Sequence, residues 1–151
     1  HPIYGLTVVL FVLLVASSLG SLASRRLGGW LWLLPLLLAA FIWVSPAVTR
    51  QLAGASTPVR ILISALLLFP SGFFMGMAFP LGVKQARTSD ESAPTAWYWG
   101  INGAFSVISS VLALVVAVFW GVTVTLLVGM VAYMVALVAL SVARSAGKIT
   151  L

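Results

Sequence analysis

A chain of 151 residues that is 62% hydrophobic and 7% charged, with a mean hydropathy of +1.20, is not an ordinary soluble domain, in which about a quarter of the residues carry charge. Its net charge of +6 does not point to nucleic acid, because the cations stand singly or in pairs between apolar stretches, where membrane spans meet lipid headgroups. With no cysteine in the chain, disulfides, thiolate metal sites and thiol nucleophiles are excluded.

The expected fold class is all-α: a polytopic transmembrane helix bundle of about five spans, forming one domain over residues 1–151. A bilayer core about 30 Å thick needs roughly 20 apolar residues of helix. The chain opens on His1-Pro2 and passes directly into apolar sequence, with no Met and no basic leader. It is therefore expected to be part of a longer polypeptide.

The first span is expected over residues 3–23, ending at Arg25-Arg26. Its second half carries Ser17, Ser18, Gly20, Ser21 and Ala23, small residues that let another helix approach closely, so a packing face is expected there in preference to a ligand groove. Gly28-Gly29 turn the chain into a second span over residues 30–48. Trp30, Trp32 and Trp43 lie near its ends, as in an interfacial aromatic belt, and Pro35 falls early enough to be tolerated.

Pro58 is well placed in the first turn of a third span, expected over residues 59–83. Pro70 and Pro80 each remove a backbone donor from it, and Gly72, Gly76 and Gly82 add flexibility and close approach. This helix is expected to be proline-kinked or broken. Its second half should face protein or a wet cavity, since hydrocarbon cannot satisfy freed carbonyls.

Lys84, Arg87, Asp90, Glu91 and Pro94 form the most polar loop. The fourth span, residues 96–120, opens on Trp97, Tyr98 and Trp99. Asn102, Ser106, Ser109 and Ala113 follow at steps of four, three and four, which sets them on one helical face, with Gly103 and Ser110 beside it. Gly121 separates this span tightly from a fifth over residues 122–143, which ends at Arg144 and Lys148. An odd number of spans puts the chain ends on opposite sides. Assigning Arg25, Arg26, Lys84 and Arg87 to one side and Arg50, Arg60, Arg144 and Lys148 to the other gives a four-to-four tie, which leaves the orientation open.

Acid–base catalysis needs positioned titratable groups, and ion pathways usually show an ionisable residue within a span. Asp90 and Glu91 are adjacent in a loop beside Lys84 and Arg87, where local charge balance explains them. His1, the single histidine, offers no set of metal or haem ligands. Gly72-x-x-x-Gly76 lacks the Lys-Ser or Lys-Thr of a phosphate loop, and close helix packing accounts for it better. No catalytic, cofactor-binding or metal-binding residue is assigned, and no cofactor is expected. The candidate polar intramembrane contacts are Asn102, Ser106, Ser109, Gly72, Gly76, Pro70 and Pro80. Asn102 is the best single candidate. It serves either as a clamp on carbonyls freed by Pro70 or Pro80 or as part of a substrate or ion site; interhelical bonds of this kind contribute only about 0.6 to 2 kcal/mol, which suits the clamp. The partners expected are membrane lipid and other transmembrane helices, of the same longer chain or of a complex, and no nucleic acid.

Three motifs occur in register along most of the chain: His1-Pro2-Ile3-Tyr4-Gly5-Leu6-Thr7-Val8-Val9-Leu10 followed by Gly20-Ser21-Leu22; Met75-Gly76-Met77-Ala78-Phe79-Pro80-Leu81-Gly82; and Trp97-Tyr98-Trp99-Gly100-Ile101-Asn102-Gly103-Ala104-Phe105-Ser106-Val107. Together they resemble the C-terminal membrane region of the bacterial membrane-bound spermidine synthase-like proteins. These join transmembrane helices to a domain of the S-adenosylmethionine-dependent aminopropyltransferase or methyltransferase type. The resemblance implies a multi-pass location in a bacterial inner membrane. It also implies service as a membrane anchor or as a substrate-access or translocation module. The family's catalytic acids belong to its Rossmann-like domain, so none carries over to this sequence. A non-catalytic accessory subunit of a larger membrane complex is the alternative. A stand-alone secondary transporter is the weaker third reading, since no charge sits in a span and no paired half-repeat is evident.

Overall fold

The computed structural model describes residues 2–89 and 95–149. Five α-helices follow one another: α1 (Pro2–Leu27), α2 (Leu33–Gln51), α3 (Thr57–Ser89), α4 (Thr95–Trp120) and α5 (Val122–Ile149). Each has a stretch long and apolar enough to cross a membrane, so the chain is a multi-pass membrane protein of the expected all-α class. A 3₁₀ turn, Gly28–Trp30, follows α1, and a second, Leu52–Gly54, follows α2. His1, Asp90 and Glu91 lie outside the described residues.

The helices begin and end for local reasons. Pro35 is the third residue of α2, where its missing N–H would have had no intrahelical acceptor. Between Arg60 and Lys84, α3 runs 23 residues without a charge. At 1.5 Å per residue that stretch is about 34 Å of helix, enough to cross the hydrocarbon with a slight tilt. Of the expectation that this helix is proline-kinked or broken, the break does not occur: α3 remains helical through both Pro70 and Pro80.

The chain divides into two compact units, His1–Leu81 and Gly82–Leu151. In the first, the buried apolar side chains are Ala16, Leu31, Leu34, Leu38, Met77 and Leu81, with Leu34 and Met77 fully enclosed. Here α1 and α3 run parallel. Gly5 and Val8 of α1 share a cleft with Thr57 and Ser64 of α3, Ser17 meets Gly76, and beyond the end of α1 Gly28 meets Leu81. In the second unit, α4 and α5 pack against each other.

A single residue joins α4 to α5. Gly121 has φ +89°, and its N–H donates to the Ala117 carbonyl oxygen at 3.0 Å. That is a left-handed helix cap, a conformation glycine adopts without steric cost. The Gly121 carbonyl oxygen then accepts from the Thr125 N–H at 3.2 Å and from Thr125 Oγ1 at 3.1 Å, which starts α5.

Two spans joined by one residue must cross in opposite senses, so α5 ends on the side from which α4 starts. This corrects the four-to-four tie. Arg144 and Lys148 fall with Arg25, Arg26, Lys84 and Arg87, and only Arg50 and Arg60 remain opposite, a division of six to two.

Candidate functional site

The most closely fitted feature of the structure is the crossing of α1 and α3. A methyl group on Gly20 would run into the Phe73 carbonyl oxygen, with Phe73 Cα only 3.2 Å away. A methyl on Gly76 would run into the Ser17 carbonyl, with Ser17 Cα at 2.6 Å. The two glycines are reciprocal: each admits the backbone of the opposite helix. Gly72 completes the contact, since a methyl there would lie 3.0 Å from Leu13 Cδ2 and 3.1 Å from the Ala16 methyl.

On α1 the face turned to this contact is Ala16, Gly20 and Ser24, all buried and four residues apart, hence stacked on one side of the helix. The sequence singled out Ser17, Ser18, Gly20, Ser21 and Ala23. Of those only Gly20 is buried, while Ser18 and Ser21 are exposed. Ala16 and Ser24 were missed, although the small-x-x-x-small spacing of Ala16, Gly20 and Ser24 carries the signal. Ser71, buried beside Gly72 on α3, was missed as well.

Hydroxyls in apolar surroundings need acceptors, and here they bond within their own helix. Ser18 Oγ donates to the Leu14 carbonyl oxygen at 2.7 Å and Ser17 Oγ to the same oxygen at 3.2 Å. Ser24 Oγ donates to the Ser21 carbonyl oxygen at 2.7 Å. This back-bonding removes the hydroxyl's demand on the neighbouring helix. Contact between the helices at Ser17 is accordingly made by its backbone.

The second half of α3 behaves as expected. None of residues 71–81 is exposed, so the part that holds Gly72, Gly76 and Pro80 lies against protein, while Gly82 beyond it is exposed. Pro80 stands four residues after Gly76, so the carbonyl it leaves without the usual helical donor is that of Gly76. Pro80 is half-buried, whereas Pro70 is exposed. Phe73, whose backbone meets Gly20, stacks on Phe69 with centroids 6.3 Å apart and meets Phe74 edge-on at 5.6 Å.

On α4 the stripe of Asn102, Ser106 and Ser109 is exposed along its length. Ser109 Oγ and Ser110 Oγ donate to the Ser106 carbonyl oxygen at 3.0 and 2.8 Å, so these two hydroxyls are satisfied locally. Gly100 and Gly103 have open space where a side chain would be. Near the start of α1 and α3, Gly5, Val8, Val9, Thr57, Arg60 and Ser64 border a cavity of about 260 Å³. Arg60 is exposed there.

The α1–α3 contact itself offers carbonyls, methyls and locally bonded hydroxyls and no titratable side chain. Its chemistry is that of holding two backbones together. Compared with protein-family models, with curated proteins and with solved structures, the chain matches none.

Proposed function

We propose that this chain is the helical membrane region of a spermidine synthase-like protein, serving as membrane anchor or as a substrate-access or translocation module, with no catalytic centre of its own. The observation that carries the reading is where the resembling residues fall. Gly20 from the first motif and Gly76 from the second each admit the backbone of the opposite helix at the contact between α1 and α3, and Met77 and Leu81 from the second are buried. An anchor needs a helix pair that stays packed, and glycine-to-backbone contact provides it where lipid supplies no hydrophobic drive between helices. The catalytic acids of an aminopropyltransferase-like enzyme would reside in a soluble domain joined to this region.

The alternative, an accessory subunit of a larger membrane complex, draws on the exposed amide and glycines of α4. Purifying the protein from its native membrane by a C-terminal tag and measuring its intact mass separates the two. The anchor reading expects one polypeptide large enough to include a nucleotide-binding domain, with S-adenosylmethionine-derived ligands retained. Recovery at fixed stoichiometry with unrelated membrane subunits supports the alternative and rejects the anchor.

A further inference from the structure

Counted by crossings, six of the eight Lys and Arg residues of this chain fall on one side of the spans. In the unit that contains α1 and α2, Gly28 lies against Leu81, with a methyl on Gly28 placed 2.6 Å from Leu81 Cδ2. Arg25 and Arg26 precede Gly28 by less than a turn, and Lys84 follows Leu81 by less than a turn on the same unbroken helix. Arg25 and Arg26 therefore lie at the Leu81 end of the parallel pair, and the count of crossings puts Lys84 on that same side of the membrane. In the other unit, Lys84 and Arg87 precede α4 and Arg144 and Lys148 end α5, while residues 92–143 between them contain no Lys, Arg, Asp, Glu or His. The reversal at Gly121 carries no charge: Phe119 and Trp120 precede it and Val122, Thr123, Val124 and Thr125 follow it.

We propose that the face bearing Arg25, Arg26, Lys84, Arg87, Arg144 and Lys148 rests on the anionic phospholipid headgroups of the cytoplasmic leaflet, and that the Gly121 turn and the loop at Arg50 lie on the opposite side. Lys and Arg near span ends set orientation, while Asp and Glu contribute little, so Asp90 and Glu91 do not offset the division of six to two. The uncharged turn is the part that crosses the bilayer most readily, because translocating it dehydrates no ion. Phospholipid phosphate is the ligand that fits these cations: each stands at or just beyond the end of an apolar span, where the negative potential of the leaflet acts.

The absence of cysteine makes a clean test available. Single-cysteine variants Thr123→Cys and Ala53→Cys, on the proposed outer face, and Ser145→Cys, on the inner, are treated in intact cells with a membrane-impermeant maleimide; all three positions are exposed. Thr123→Cys and Ala53→Cys should label at least fivefold more than Ser145→Cys, and permeabilisation should bring Ser145→Cys to the same level. Labelling of Ser145→Cys alone in intact cells overturns the orientation, as does equal labelling of all three or labelling of all three only after permeabilisation. For the lipid, the protein is purified from bilayers of equal phosphatidylglycerol and phosphatidylcholine. It should retain the anionic lipid at least threefold over the neutral one, and the triple variant Lys84→Gln, Arg87→Gln, Arg144→Gln should lose that preference. A preference unchanged in the triple variant, or absent from the parent, overturns the lipid contact.

Discussion

At Gly20 and Gly76 the cost of a single methyl group is set by what it would strike. Backbone cannot rotate away, so Gly20→Ala and Gly76→Ala should each force α1 and α3 apart, at the roughly 1–3 kcal/mol typical of overpacking. Alanine is otherwise the better helix former by about 0.8–1 kcal/mol, so the net loss is expected at up to about 2 kcal/mol. Thermal unfolding in detergent, followed by tryptophan fluorescence, checks it. Gly103 and Gly129 have open space at the same position, so Gly103→Ala and Gly129→Ala should leave the midpoint unchanged or raise it. Gly28→Ala belongs between these cases, since the atom it would meet is the tip of the Leu81 side chain, which can change rotamer. If all five variants behave alike, the close-contact account is wrong. Asn102→Leu tests the amide of α4: used as a clamp on another span, it contributes about 0.6–2 kcal/mol, and its loss should appear as a lower midpoint. An unchanged midpoint with lost activity would assign Asn102 to a site.

Among the elements, the α4–α5 turn depends on one dihedral angle. Gly121 at φ +89° admits asparagine better than alanine, because a short polar side chain tolerates the left-handed region. Gly121→Ala should cost about 1–2 kcal/mol, Gly121→Asn less and Gly121→Val most, in an order readable by the same unfolding assay. In α3, Pro70 is exposed and the helix passes through it, so Pro70→Ala restores a donor for the Leu66 carbonyl and should not lower stability. The number of helices was legible because a bilayer fixes the length of each apolar run, and Gly121 was legible as a separator because nothing else divides residues 95–149; the limits were not, since α3 continues through Lys84 and Arg87, expected in a loop, to Ser89, and α5 continues to Ile149. What the sequence left open was rotation. Five small residues at 17, 18, 20, 21 and 23 cover most of the circumference of α1, and only the position of Phe73 on the neighbouring helix selects the face of Ala16, Gly20 and Ser24. For the prolines, only the break that the sequence allowed beside a kink is absent. Each removes a hydrogen bond, which argues for a break, yet a helix packed along residues 71–81 can remain continuous around the loss.

For the whole molecule, the charge division illustrates how one topological step governs a global property. Each cation was visible in the sequence, but its side of the membrane depends on how many times the chain has crossed before it, and moving Arg144 and Lys148 across converts an even count into six against two. The same dependence makes orientation testable by charge exchange. Combining Lys84→Ala and Arg87→Ala with Thr123→Lys should lower the labelling of Ala53→Cys in intact cells by at least half, measured with the impermeant maleimide.

The parallel pairing of α1 with α3 also has a consequence in time. Ser17 and Gly76 are 59 residues apart, and at 5–20 residues per second of synthesis roughly 3–12 s separate the emergence of the two. During that interval the notch at Gly20 has no helix in it, and the nascent chain presents an unfilled groove to the insertion machinery and to membrane proteases. Substitutions at Gly20 should therefore shorten the lifetime of newly made protein in a pulse-chase experiment more than they alter the decay of protein already assembled.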